Sequence, residues 1–269
     1  MNPFPTFLAI HFEVGGNTSS LRYQKECWPA VTDLVSLAEQ YAANLTLQFN
    51  PQWAEYILED QNRFGLLKRW QERGHEIGLH HHGYDHGDWN GFTNRPDKDK
   101  DPRYRGGIPA MMKTMQKLAH PYELLSATTT DEEFDHPAIA RYDTEGIRLH
   151  HARSKPKRVR IGGKNVIQVS MALMSVSEDI VCFKHEYLET MQDEIFGVVT
   201  HEKDFMRNPA LIEEWFKFVK SQGAEIRTVC DIISAYKKAF DVKYDENPLI
   251  FSKDVAGIAA SVQSCRRVV

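Results

Sequence analysis

Strands and helices alternate along this 269-residue sequence, which predicts one α/β domain built on a largely parallel, barrel-like sheet. Two further observations favour that reading. No linker-like stretch or internal repeat divides residues 1–269. No Gly-x-Gly-x-x-Gly run follows the first apolar segment, which disfavours an open nucleotide-binding sheet. A helical C-terminal tail is expected from about residue 231.

The elements are read in order. Residues 6–13 are an apolar strand that stops at Gly15-Gly16. In 21–42, Trp28, Val31, Leu34, Val35, Leu37 and Ala38 fall on one helical face. A second strand spans 44–49. Pro51 then opens a helical stretch to residue 72, with a break expected at 62–65. A third strand covers 75–80 and runs into a long polar segment, 83–106, of the kind that is functional or disordered in compact domains. Ile108, Met111, Met112, Met115 and Leu118 mark a helix over 107–119; such methionines fill cores. Strands follow at 122–129, 147–152 and 165–174, then a helix at 183–195 and a strand at 196–200. A helix at 209–222 stops at Gly223, a short strand occupies 225–229, and 231–240 and 251–264 are helical.

Composition narrows the function classes. A net charge of −4 and a pI near 6.3 argue against an electrostatic nucleic-acid binder. The basic run 155–160 reads as a solvated hairpin flank. No apolar stretch is long enough for a membrane span, and the N-terminus has no secretory pattern, so a cytoplasmic enzyme is expected. Cys27, Cys182, Cys230 and Cys265 are far apart, which argues against a cysteine metal site.

Histidine carries the functional signal. Five of the 12 histidines fall within 75–86: His75, His80, His81, His82 and His86. Neutral imidazole is the commonest metal ligand. His82-x-x-x-His86 has a recurring ligand spacing and follows a strand, where α/β barrels place their chemistry. In a continued strand, His80 and His82 share a face and His81 takes the other, so all three do not converge in a regular strand. His11 and Glu13 close the first strand, two residues apart, and His201 closes another. A buried His and Glu in an apolar strand are costly unless paired or functional.

At these residues the chain resembles the polysaccharide deacetylase (NodB homology) family. The resemblance rests on Gly74-His-Glu-Ile-Gly78 and the His82/His86 pair, with the strand ending in His201 as the last motif. It spans roughly residues 6–230 and implies a distorted (β/α) barrel of about seven strands. It also implies that His201 is the general acid. The first motif departs from the pattern. Members show Thr-Phe-Asp-Asp-Gly, in which the first Asp is a base and the second a metal ligand; here the run is His11-Phe-Glu13-Val14-Gly15. Glu13 falls at the base position and Val14 replaces the ligand. The Arg-containing motif is also missing, with Ser126-Ala-Thr-Thr-Thr-Asp131 in its place.

The resemblance implies hydrolytic removal of an acyl group, N-acetyl in the leading case, from an amino sugar. The ion is expected to be zinc or a similar divalent metal, bound by His82, His86 and Glu13 or His11. Glu13 takes a proton from water, or His11 does if Glu13 is a ligand. His201 protonates the leaving amine. Asp85, Asp88 and Asp204 are candidates to orient the imidazoles, and Trp89 to stack on a sugar ring. The expected substrate is a small or activated carbohydrate. Two alternatives stand beside this: an amidase acting on a small cyclic amide or ureide, and a non-catalytic barrel that binds carbohydrate or protein.

Overall fold

The computed structural model describes residues 6–15, 20–129, 134–137, 141–145, 152–161, 163–175, 180–240 and 242–243. Strand β1 (Thr6–His11) leads to helix α1 (Ser20–Gln40) and β2 (Thr46–Phe49). Two helices follow, α2 (Pro51–Leu58) and α3 (Gln61–Glu72), before β3 (Glu76–His81). The expected break therefore falls earlier, at Glu59-Asp60, where the Asp60 carboxylate accepts from the amides of Asn62 and Arg63 and starts a new helix. After α4 (Ile108–Ala119) come β4 (Ser126–Thr129) and β5 (Tyr142–Glu145). Next are β6 (Arg153–Ser154), the hairpin β7 (Lys157–Ile161) and β8 (Lys164–Ser170), and β9 (Ala172–Leu173). The chain then forms α5 (Ile180–Leu188), β10 (Ile195–His201), α6 (Glu202–Arg207), α7 (Pro209–Ser221), β11 (Ile226–Arg227) and α8 (Val229–Ala239).

Seven strands run parallel in the order β10-β1-β2-β3-β4-β5-β8. The chain continues from β8 through Met171 into β9, which pairs with β10. The sheet thus curls back on itself as a distorted barrel, matching the predicted class. β7 turns back antiparallel on β8, with Lys157, Arg158 and Arg160 outward, so the basic run is a solvated hairpin strand.

Side-chain alternation divides the strands into two faces. Leu8, Ile10, Phe12, Leu45, Leu47 and Phe49 join the large core with Val31, Leu34, Val35 and Ala38 of α1 and Trp53 of α2. The opposite face is layered. Phe7, Ala9, Ile167, Val169, Ile195 and Val199 pack with Val229, Ile232 and Ile233 of α8 in a second apolar cluster. Toward the strands' C-terminal ends the same face becomes polar: His11, Gln48, His80, Thr128, Thr144 and His201. Gln48 is fully buried; it donates to Thr144 (2.9 Å) and accepts from Thr128 (2.8 Å).

Several expectations need correction. β1 ends at His11, and 12–15 are irregular: the Phe12 and Glu13 carbonyls accept from the Asn50 and Trp53 side chains and Glu13 N–H donates to Glu202. The strand expected at 122–129 shortens to β4. The helix expected at 183–195 runs 180–188, since the chain turns to enter β10 at Ile195. β5, β7 and α6 were not anticipated; their alternation is short and interrupted by charged residues. The expected strand at 147–152 and helix at 251–264 fall mostly or wholly outside the described residues, as does Cys265. Among the described residues, no helix is long and apolar enough to cross a membrane.

Gly197 shows how tightly the closure is packed. A Cβ there would lie 2.3 Å from the Ser170 carbonyl oxygen and 2.4 Å from Phe7 Cζ. Gly197→Ala is expected to lower stability by about 1–3 kcal/mol through overpacking. A fall in the urea midpoint with an unchanged slope checks this; an unchanged midpoint would refute the tight seam.

Candidate active site

The ends of β1, β3 and β10 meet at Glu13. Its backbone is fixed from several sides. The preceding peptide is held by Phe12 N–H donating to the Gln48 carbonyl (3.1 Å) and Asn50 Nδ2 donating to the Phe12 carbonyl (2.7 Å). Glu13 N–H donates to Glu202 Oε1 (3.0 Å), and Trp53 Nε1 donates to the Glu13 carbonyl (2.9 Å). The side chain thus projects from a fixed backbone even though the strand has ended. Glu13 is 8% exposed, so its carboxylate needs partners.

Those partners are mainly cationic or histidine side chains. His201 Nε2 lies 3.0 Å from Glu13 Oε1, and His80 Nε2 lies 3.9 Å from the same oxygen. His82 Nε2 lies 3.8 Å from Oε2, and Lys203 Nζ lies 3.9 Å from Oε1. Burial alone would raise the Glu13 pKa. The His201 hydrogen bond and the charges of His82, His201 and Lys203 outweigh burial and hold it down at about 2. His201 Nδ1 meets Asp204 Oδ2 at 3.0 Å. Burial opposes its charge, yet the hydrogen bonds to Asp204 and Glu13 raise its pKa to about 9. Glu13, His201 and Asp204 form a buried chain in which His201 carries a proton at neutral pH.

His11, His80 and His82 are held neutral. His11 stacks on His80 with ring centroids 4.0 Å apart. Burial and the neighbouring His201 take the His11 pKa down to about 3, and burial holds His80 well below its ordinary range. Neither His80 nitrogen has a hydrogen-bond partner among the described residues, nor has His11 Nε2. His82 Nδ1 donates to the Asp88 carbonyl (3.1 Å), which leaves its Nε2 lone pair facing Glu13. His86 differs: Asp88 N–H donates to its Nδ1 (3.1 Å), so a neutral ring carries its proton on Nε2.

Two groups of donor atoms lie within 4.8 Å of one another at this end of the barrel: Glu13, His80 and His82, and His82, His86 and Asp88. Ligands of one tetrahedral ion, each at about 2.0–2.2 Å, are roughly 3.3–3.6 Å apart. His82 Nε2, 3.8 Å from Glu13 Oε2, is close to that spacing, while the 3.9 Å approach of His80 Nε2 is to Oε1, the oxygen that also meets His201. The buried imidazole nitrogens without partners give the first group donors that are free to bind. The first group is therefore the better match to an ion.

The remaining expected residues are placed as follows. Asp204 orients an imidazole. Asp85 instead pairs with Arg95 at 2.8 Å. Asp88 acts through its main chain, although its carboxylate lies near His82 and His86. Trp89 is 5% exposed; its N–H donates to the Phe92 carbonyl, Tyr84 meets it edge-on, and the Arg103 guanidinium lies 5.1 Å from its ring centre. That ring is committed to packing the loop and offers no open face to a sugar. His81 turns to the other side, as alternation requires, and meets Asn90 Oδ1 at 3.0 Å.

Sequence reasoning ranked His80 below His86 and missed Asn90, Glu202 and Tyr23. Alternation with His82 was the available signal for His80. Nothing in the sequence signalled the other three, whose roles depend on contacts across the fold. Asn90 N–H donates to the His82 carbonyl (3.4 Å) and Gln52 donates to the Asn90 carbonyl (2.8 Å), closing the histidine loop onto α2.

These shifts give stability a pH optimum. His201 binds its proton more tightly when folded, so its contribution is complete below about 6.5 and is lost as pH rises through about 9. His11, His75, His80, His81 and His82 have lowered pKa values, so the unfolded chain takes up their protons first as pH falls below 6.5. Each then costs about 1.4 kcal/mol per pH unit until its folded-state pKa is reached. Metal-free protein should have its highest melting temperature near pH 6.5 and lose it more steeply on the acid side. A flat profile from pH 4.5 to 6.5 would contradict buried neutral histidines.

No family model matches the chain, and no curated protein matches it significantly in sequence. Solved structures share its architecture. Puue allantoinase has a TM-score of 0.61 at 12% identity, covering 89% of this chain and 91% of that one. A probable polysaccharide deacetylase from Pseudomonas aeruginosa has a TM-score of 0.59 at 12% identity, covering 88% and 91%. A 4-alpha-glucanotransferase from Thermococcus litoralis has a TM-score of 0.60 at 14% identity over 91% of this chain. This chain spans only 42% of the glucanotransferase. At these identities the likeness is one of fold: a distorted α/β barrel shared with solved polysaccharide deacetylases and an allantoinase.

Proposed function

We propose that the chain is a metal-dependent hydrolase that removes an N-acyl group, acetyl in the leading case, from a small or activated amino sugar. One observation carries the reading: Glu13, His80 and His82 converge beside a His201 that Asp204 and Glu13 keep protonated. The fold, shared with solved deacetylases, supports it.

Glu13, His80 and His82 would hold the ion. A zinc-like ion there would polarise the acyl carbonyl and make bound water more acidic. Glu13 would offer Oε2, the oxygen facing His82, with Oε1 paired with His201. His11, whose Nε2 has no partner among the described residues, would accept the water proton as His201 surrenders its own, so that only one of the two neighbouring imidazoles is charged at a time. His201 gives its proton to the leaving nitrogen, and Asp204 keeps the imidazole aimed. Lys203, half-exposed at the rim, stabilises negative charge developing near Glu13.

Cyclic ureide hydrolysis is the second reading. The allantoinase shares the fold, and Val14 supplies no ligand where the family resemblance expects one. The purified protein and its variants, assayed for ion content and for turnover of N-acetylated amino sugars and cyclic ureides, separate the readings. His80→Ala and His82→Ala are expected to lose the ion, and His86→Ala to keep it. His201→Ala should keep the ion and lose about 10²–10⁴-fold in kcat. Ureide turnover without sugar deacetylation would favour the second reading. An ion-free wild type whose turnover survives His82→Ala would defeat the metal mechanism, and sugar binding without turnover of either class would favour a binding module.

A further inference from the structure

The carboxylate of Glu202 takes no part in the proposed chemistry, yet it is 1% exposed. One oxygen, Oε1, accepts from Glu13 N–H at 3.0 Å and from the Tyr23 hydroxyl at 2.7 Å. Oε2 is buried without a partner among the described residues. A buried acid with one unsatisfied oxygen costs stability. The dipeptide His201-Glu202 touches Glu13 twice. The His201 imidazole holds the carboxylate, and the Glu202 carboxylate holds the backbone of the same residue. Tyr23 also limits this segment from outside. Gly15 has φ +94°, and a Cβ there would fall 2.7 Å from the Tyr23 ring. Tyr23 thus covers Gly15 directly and reaches Glu13 through Glu202.

We propose that Glu202 is a positioning residue: by gathering the Glu13 amide and the Tyr23 hydroxyl on one oxygen, it sets where the Glu13 carboxylate stands relative to His80, His82 and His201. It touches neither substrate nor ion. The link ties α1, which carries Tyr23, to the end of β1, so the first helix helps set the site. The acceptor oxygen is what matters, and Gln at 202 retains one. The inference builds on the proposed metal site, but one of its readouts needs no metal.

The test compares Glu202→Gln, Glu202→Ala and Tyr23→Phe in the full chain. Cobalt(II) titration reads affinity and the visible spectrum of the ion. The imidazole ¹⁵N resonances of His201 in metal-free protein read the Glu13–His201 contact. Glu202→Ala is expected to weaken cobalt binding about 10–100-fold, the usual effect of losing support behind a ligand, with a changed spectrum and displaced His201 resonances. Glu202→Gln should restore all three to near wild type, and Tyr23→Phe should fall between. A Glu202→Ala protein that melts earlier but keeps its cobalt spectrum, affinity and His201 resonances would overturn the proposal. So would a Glu202→Gln protein as impaired as Glu202→Ala. If Glu202→Ala does not fold, Tyr23→Phe with wild-type His201 resonances overturns it. If wild type binds no cobalt, the metal reading fails by itself and the His201 resonances decide the positioning role.

Discussion

Everything at the open end of the barrel depends on keeping one carboxylate charged in a nearly dry place. Glu13 achieves this through the 3.0 Å contact with His201. Removing either partner would leave the other buried with weaker compensation, His201 with Asp204 alone and Glu13 with Lys203 3.9 Å away. The surrounding histidines follow from that pairing. With His201 already positive, a second protonated imidazole nearby is penalised by repulsion as well as burial, so His11 stays neutral. His80 and His82 likewise have lowered pKa values. Burial, reinforced at His11 and His80 by the charge of His201 and at His82 by His86, leaves His201 as the one acid among four imidazoles.

The backbone makes that sorting possible. Parallel strands bring His11 and His201 into register as direct neighbours, and His11 into register with Gln48. The polar ring formed by Gln48, Thr128 and Thr144 gives these groups a hydrogen-bonded base above the apolar cluster. Replacing that ring with apolar residues would strand the imidazoles against hydrocarbon. Building it in a barrel lacking the α8 plug would admit water from below.

Much of this was legible in the sequence. Apolar alternation exposed β1, β2, β3 and β10, and the helical periodicities of α1, α4 and α7 were clear. So was the convergence of His11, Glu13, His82 and His201, since strand ends in a parallel barrel face a common mouth. The roles within that cluster were less legible. Spacing favoured His86 with His82, yet which nitrogen is free depends on the Asp88 main chain, whose carbonyl accepts from His82 and whose N–H donates to His86, and no spacing encodes these. For Trp89 the sequence leaves sugar stacking and loop packing both open, and its burial beneath Arg103 decides for packing. Glu202 was hidden because a carboxylate after a histidine is unremarkable until its neighbours are known.

The layering of the barrel has a consequence for traffic. Phe7, Val199 and the α8 side chains Ile232 and Ile233 seal its lower end. Among the described residues that end is filled with apolar side chains, which leaves the rim beside half-exposed Lys203 as the way to His80. Under the proposed hydrolysis, two fragments released there would leave in sequence, with the one nearer the rim going first.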